Sequence, residues 1–559
     1  MKTRCEIRFG IEDVSAKEDA TLSSSPMQSF SNIQQLHDTG QEIKPWGTLE
    51  GGGILLDGSY LPFPDCPEEE FMGLWSVDQT DENRTFAVPP SVTAQFTQPH
   101  SSLGITLTFS PATGERARSV IIRWFDQAGD LMASETFTPD AAVYFCSKTV
   151  ENYYKITMSF EGTNKPHHWL KLTGIRYGVL KVLGEGDLTS ASVLEETDPI
   201  SNEVRISTLG FSFYYPEGEF DLLDLSGAFS LFQQRQRADV TGYIDGQAQF
   251  VGSYYLSKVK TGDNEAQVTS TDLIGVIDGA EYMGGFWPSG ITAGALVAQI
   301  MAAADASDLY ELDQSYQNVS ITGYLPICSP REALQQVAFV LGAMVTCARS
   351  EKIRIVPPPN TVMHTVTPND KVAGHTLEQG DLVTGVEVYV HEYSRRAQVS
   401  EISKETRTAG EHLVRFPGPF DGLSCSGATI IDSGINYAKL SVATTREVIL
   451  SGYGYDDAKS LGGSVYLDVL PANGKVNLYT ADACTLTTDP QALAQRIYNY
   501  KRLRITEDGS YFPLLWAPGE LSRIERETGR ALVGYPVSLN IDLYGGFITK
   551  AEVVGSAAE

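Results

Sequence analysis

The side chains best suited to chemistry in this sequence gather in one loop and around one indole. The loop Lys165-Pro-His-His-Trp169 offers two imidazoles, an ammonium group and an indole, and Trp75 adds a second indole. Flat aromatic faces beside hydrogen-bond donors are what sugars stack on and bond to. Trp75, His167, His168 and Trp169 are therefore the expected glycan-contacting residues. Trp124 sits in the middle of an alternating apolar run and reads as core. Asp78, Asp81 and Glu82, in Asp78-Gln-Thr-Asp-Glu82, carry oxygens of the kind calcium takes. Acidic loops in an acidic chain are more often simply solvated.

No motif for a catalytic centre accompanies them. The chain has no GxxxxGK[ST], no strand-turn-helix GxGxxG, no HExxH, no GxSxG and no EF-hand loop. His391-Glu392 opens like a zincin helix, but Arg395 stands where the second histidine belongs. A glycoside hydrolase needs two carboxylates facing across a cleft, and among 70 acidic residues nothing singles out such a pair. The expectation is a protein that is not an enzyme and uses no cofactor.

Composition narrows the class further. The 559 residues exceed one ordinary core, and 26 Tyr and 23 Phe with 51 Gly point to a turn-rich, mainly β protein of several domains. A net charge of -28 argues against stable nucleic-acid binding, which needs a basic face. The local basic groups Arg235/Arg237, Arg395/Arg396 and Lys501-Arg502-Leu-Arg504 read as strand edges or subunit contacts. Seven scattered cysteines, never spaced as CxxC, read as buried reduced thiols. No run approaches the roughly 18 apolar residues of a membrane span. From Cys5 to Ile11 apolar and polar residues alternate, so the N-terminus reads as a strand and not as a signal peptide.

The elements that carry these residues divide the chain into four parts. A strand near the N-terminus is too little to fold alone and is expected to pair with a β-meander after residue 200, making residues 1–45 and 183–286 one discontinuous β-domain. In that meander Asp245-Gly246, between Val240–Ile244 and Gln247–Phe250, supplies the positive φ values of a type I′ hairpin. Residues 46–182 show a train of short alternating strands, an inserted sandwich. Residues 287–365 carry two helices and a hairpin; Ser329-Pro-Arg-Glu332 is a capping box with Pro at the first helical position, and Gly342 ends that helix. Residues 366–559 are mostly strands, with one helix from Pro490 to Tyr500.

The order of an acidic Phe213-Tyr-Tyr-Pro-Glu-Gly-Glu-Phe-Asp221 segment, Gln233-Gln-Arg-Gln-Arg237, the Asp-Gly hairpin and Gly252-Ser-Tyr-Tyr-Leu256 resembles the tail-tip hub proteins of phages and prophages. The ending, Ala517-Pro-Gly-Glu520 followed by Leu543-Tyr-Gly-Gly-Phe547, resembles their closing barrel, with Glu520 where Asp is commoner. The 46–182 segment resembles discoidin-like or galactose-binding-like jelly rolls, which often carry a structural calcium. The resemblance implies two hub β-barrels, a small α/β lobe and a peripheral sandwich in a homotrimer that continues and closes the tail tube. Gln233, Gln234, Arg235 and Arg237 would then lie at the subunit interface, with Arg235 and Arg237 bonding to acidic neighbours across it. Implied partners are copies of the same chain, a distal tail protein, a tape-measure protein and tail fibres or a spike, with a host surface glycan as a further one. The implied place is the distal end of a virion tail, assembled in the host cytoplasm, and no integral membrane protein is implied. A cell-wall hydrolase beyond the last barrel strand is not expected, because the sequence stops at Glu559. The other reading is a glycan-binding adhesion subunit in which the sandwich does the work.

Overall fold

Alternation at the N-terminus puts Cys5, Ile7 and Phe9 on one face of the Thr3–Glu12 strand, and all three are buried. That strand pairs antiparallel with Arg237–Ile244 on one side and with Gly178–Leu183 on the other. The computed structural model describes residues 2–26, 32–37, 44–55, 57–67, 70–110, 114–214, 236–262, 264–372, 374–471, 474–512 and 516–558. It is mainly β, with 52% strand and 11% helix, in several sheets that mark a multidomain protein. No described helix is long and apolar enough to cross a membrane.

The Asp-Gly hairpin forms between Arg237–Ile244 and Gln247–Thr261, with Asp245 at φ 49° and Gly246 at φ 86°, the left-handed pair that a type I′ turn demands. From there the sheet runs through Glu265–Thr271 and Thr208–Tyr214 to Leu188–Glu196. Leu188–Glu196 pairs on its far edge with Ala531–Asp542, in the register Val193 to Ile541 and Glu195 to Leu539. Thr549–Ala557, Ile505–Tyr511 and Thr376–Gln379 extend it. The two hub units read separately from the sequence are thus one sheet of 13 strands over one core, in which Ile7, Phe9 and Phe211 lie with Leu539, Ile541 and Val553. Pairing so distant in sequence leaves no local signal, which is why a boundary at 366 was expected and none is found in the packing.

A buried ion pair stands where these parts meet. Arg349 lies in the turn between Met344–Thr346 and Ile353–Val356, at φ 57°, a backbone conformation that costs an arginine roughly 1–3 kcal/mol. Its Nη1 donates to Glu195 Oε1 at 2.5 Å and to the Val251 carbonyl at 2.8 Å, and its Nη2 donates to the Trp516 carbonyl at 2.8 Å. The Glu195 side chain is wholly buried. Burial pushes the Glu195 carboxyl up and Arg349 pulls it back, while burial opposes the Arg349 charge and Glu195 more than restores it. The Ala517-Pro-Gly-Glu520 turn lies beside this junction. Gly519 has φ 82°, and Glu520 closes the turn by accepting from the Ala517 N–H at 3.1 Å, its longer side chain also reaching His364 Nε2 at 2.6 Å.

The insertion begins earlier than residue 46. The chain leaves the sheet after Glu12 and returns at Gly178, which face each other across the ladder, and the Asp13 N–H bonds to the Tyr177 carbonyl at the neck. Thr21–Ser25 pairs with Ser91–Phe109 and not with the hub, and Ala16 and Leu22 join the insertion's core. A single apolar residue in a Ser-rich passage could not disclose that. The helix Val14–Asp19 is held down by His100, whose Nδ1 meets Asp13 and whose Nε2 meets Asp19, each at 3.0 Å. Burial opposes the Asp19 charge, but bonds from Thr97, the Gln98 N–H and His100 outweigh it and hold the carboxyl down at about 2. Two long strands, Ser91–Phe109 and Val143–Thr163, pair with shifts of register near His100 and wrap one sheet round a core that includes Trp124, fully buried as its position in the strand suggests.

The lobe is wider than 287–365. Its core joins Leu296, Ile300, Leu334 and Val337 to Leu273 and Ile277 before it and to Leu493 and Ile497 of the Pro490–Lys501 helix after it. The Ser329–Glu332 capping box forms, with Ser329 Oγ accepting from the Glu332 N–H at 3.2 Å and Gly342 left-handed at φ 75°. Gly385–Arg395 pairs over its length with residues 455–466 of Arg446–Tyr466, while the first half of that long strand pairs with Ser400–Arg407 and Phe420–Ser426 and contributes to a separate small core of Val414, Phe416, Leu440, Val442 and Leu450. All seven cysteines are free; burial pushes Cys5 and Cys146 up to about 12, but Cys66 is exposed, contrary to the expectation of seven buried thiols. Replacing Arg349 by Ala is expected to destabilise the sheet by about 3–5 kcal/mol in urea denaturation, because it strands a buried carboxylate, whereas the double replacement Arg349→Leu with Glu195→Leu should recover most of that loss.

Candidate functional site

The loop singled out for sugar contact is built on the insertion. Lys171 opens the Lys171–Arg176 strand, every residue of which is buried, and Glu115 precedes Ala117–Phe125. The loop is fixed from below, where Thr80 exchanges backbone bonds with it: His167 N–H to the Thr80 carbonyl and Thr80 N–H to the His168 carbonyl, both 3.1 Å. His167 itself has φ 57° and is exposed, and Trp169 is half-buried.

The other two predicted residues are not at the surface. Trp75 is buried, its Nε1 donating to the Met72 carbonyl at 3.0 Å, with Lys171 Nζ 4.7 Å from the ring centroid and Phe63 meeting it edge-on at 6.0 Å. No indole face is left for a sugar. His168 is buried too, with Nδ1 2.6 Å from the Pro166 carbonyl and Nε2 2.9 Å from the Gly51 carbonyl. The four residues therefore split into a sealed pair, Trp75 and His168, and a pair nearer the surface, with His167 exposed and Trp169 half-buried.

What seals them is a group of charges that sequence reading missed. Glu50, wholly buried, pairs with Lys171 Nζ at 2.5 Å through Oε2, which also accepts from Thr48 Oγ1 at 2.6 Å, and its Oε1 accepts from the Trp169 N–H at 2.8 Å. Glu115 lies 3.1 Å from Lys165 Nζ, 3.5 Å from His168 Nε2 and 3.7 Å from Lys171 Nζ. Buried charges of both signs at these distances compensate one another's lost hydration. The only hint in the sequence was a lysine in the middle of Trp169-Leu-Lys-Leu-Thr-Gly-Ile175, a run otherwise bound for the interior. Chemically this arrangement fastens the 48–53 loop to the sheet and leaves His167 and Trp169 as the groups facing water.

The three carboxylates weighed as calcium ligands lie in a solvated loop. Asp78, Asp81 and Glu82 are exposed, and Asp81 Oδ1 already accepts from the Asn83 N–H, the Thr85 N–H and Thr85 Oγ1 at 2.8, 2.9 and 3.1 Å. Those bonds hold the Asp81 carboxyl below its ordinary range, the Thr85 N–H contributing most. Among the described residues no three His, Cys, Asp or Glu side chains are grouped to hold a metal ion.

Of the expected interface residues, Gln233, Gln234 and Arg235 lie outside the described residues. Arg237 is engaged within its own chain, with Nε donating to Asp239 at 2.6 Å and Nη2 to Glu351 at 2.5 Å. Burial works against its charge, but Asp239 and then Glu351 outweigh burial and hold the guanidinium above its ordinary range. It ties the Arg237–Ile244 strand to the lobe. Arg395 and Arg396 likewise bond to Asp421 and Asp456, at 2.6 and 2.8 Å, and Lys501 lies over the Tyr479 ring at 4.7 Å.

No family model matches the chain, and no curated protein matches it in sequence. Among solved structures it is similar to a tail protein from Neisseria meningitidis, at 12% identity and a TM-score of 0.39 over 67% of this chain and 94% of that one. A prophage tail protein from Listeria monocytogenes is similar at 8% identity and a TM-score of 0.39, over 67% and 91%. A prophage tail protein from Shewanella oneidensis is similar at 11% identity and a TM-score of 0.38, over 67% and 95%.

Glu50→Ala should free the 48–53 loop while leaving the insertion folded. The lost buried ion pair, worth about 3–5 kcal/mol, corresponds to roughly a hundredfold or more in loop opening. Chymotryptic cleavage after Leu55 or Tyr60 should accelerate accordingly, and Trp169→Ala should not reproduce the effect.

Proposed function

We propose that this chain is a structural, non-catalytic subunit of a phage tail tip or baseplate hub, a homotrimer that continues and closes the tail tube. The observation that carries the reading is the continuous sheet in which the strands of the two hub-like sequence segments lie as two adjacent blocks over one core, joined where Leu188–Glu196 pairs with Ala531–Asp542. Among the described residues, Gly178–Leu183 at one end and Thr376–Gln379 at the other each pair on one side only. Open strand edges at both ends of one sheet are the surfaces through which copies of a chain join edge to edge.

The remaining parts have places in such a ring. The insertion leaves and re-enters at the neck between Glu12 and Gly178, so it decorates the ring without interrupting the sheet. A net charge of -28 would let DNA pass by repulsion. A distal tail protein, a tape-measure protein and fibres or a spike are the partners this role calls for, at the distal end of the tail. The adhesion reading keeps His167 exposed and Trp169 half-buried but loses Trp75 and His168 to the interior, and is the weaker for it.

Light scattering on the full chain at rising concentration, followed by negative-stain imaging, tests this. The expected result is a species of three times the 61.0 kDa chain mass, ring-shaped, with a central opening and three peripheral knobs. A compact monomer at every concentration would count against it.

A further inference from the structure

A cavity of about 210 Å³ opens where the turn at 201–202, the Pro330–Leu341 helix and the 479–484 segment meet. One water needs only ~10–15 Å³, so the space holds something larger. Its walls are fixed by their own hydrogen bonds. Gln335 Nε2 donates to the Asn202 carbonyl at 2.7 Å, and Tyr479 donates its hydroxyl to Asn202 Oδ1 at 2.9 Å. Gln336 Oε1 accepts from the Thr485 N–H at 3.0 Å and from Thr485 Oγ1 at 3.1 Å. Asp482 is braced by Lys459, whose Nζ lies 3.0 Å from its carbonyl and 3.3 Å from its Oδ2, and by His391 Nε2 at 3.0 Å from the carbonyl.

These bonds and the Val204 N–H, 3.4 Å from Gln335 Oε1, engage both ends of Gln335 but only one end of Asn202 and of Gln336. Asn202 Nδ2 and Gln336 Nε2 donate to no described residue, and the Thr480 hydroxyl and Asp482 Oδ1 are likewise unengaged. Two amide donors, a hydroxyl and a carboxylate oxygen stand beside the rings of Phe339 and Tyr479. No Lys or Arg lines the cavity, and its one charged residue is acidic, so phosphate, sulfate and carboxylate ligands are disfavoured. A neutral ligand with several hydroxyls and one apolar face matches both the polar groups and the rings. We infer that this cavity binds a single neutral sugar unit, at a site separate from the sandwich loop and standing independently of the tail-hub reading.

The test is titration of the full chain with glucose, galactose and N-acetylglucosamine, by saturation-transfer NMR and calorimetry. At least one should bind saturably, with a dissociation constant on the order of 1 mM. Gln336→Ala and Asn202→Ala should weaken it about tenfold or more, the loss of hydrogen bonds worth ~1.4 kcal/mol. Ala483→Trp, at an exposed position on the rim, should block entry without disturbing the core, and Trp169→Ala should change nothing. Failure of all three sugars to saturate at about 50 mM, binding that survives Ala483→Trp, or binding lost only in Trp169→Ala would each overturn the inference.

Discussion

The contact between Arg349 and Glu195 governs how this chain holds together. Glu195 belongs to the strand that joins the two sets of sheet strands, Arg349 to the lobe, Val251 to the meander and Trp516 to the C-terminal turn, and one guanidinium bonds to all three others. A charge pair whose carboxylate is cut off from water depends on its donors and acceptors being met within the protein. Here two main-chain carbonyls meet the guanidinium and the Tyr254 hydroxyl reaches Glu195 Oε1 at 3.4 Å, while Glu195 Oε2 meets no donor among the described residues, so the pair serves to fix the arrangement more than to add net stability. The geometry selects one arrangement of four segments. Any slip of Leu188–Glu196 against Ala531–Asp542 by one residue would turn Glu195 to the opposite face, since side chains alternate along a strand.

That constraint explains why some of the fold was legible in sequence and some was not. Features written within a few residues were readable: the Asp245-Gly246 turn, the Ser329–Glu332 capping box, the alternation of Cys5, Ile7 and Phe9, and the helix that Asp489 caps. Each is local stereochemistry. The pairing of Glu195 with Leu539, the start of the insertion at residue 13 and the packing of Leu493 and Ile497 onto the lobe depend on contacts that no short window contains.

The candidate site shows the same division more sharply. Trp75, His168 and Trp169 carried the right chemical types for a sugar, but Glu50, Glu115 and Lys171, far apart in sequence, meet beneath them and draw two of the three inward. The amides of the 201–202, 335–336 and 479–484 cavity had no motif at all. A cluster that looks reactive in sequence can thus serve as glue, and an uneventful stretch of Gln and Asn can line a space. Both outcomes follow from where the sheets and the lobe place their backbones.

Hydrogen exchange, followed by mass spectrometry on the full chain and on Arg349→Ala, tests most directly whether one ion pair unites the two sets of strands. The account predicts that amides of 188–196 and 531–542 exchange together in the slowest class, and that Arg349→Ala accelerates both segments in step while 330–341 stays protected. Independent exchange of the two segments in the unaltered chain, or acceleration of only one of them in Arg349→Ala, would contradict it.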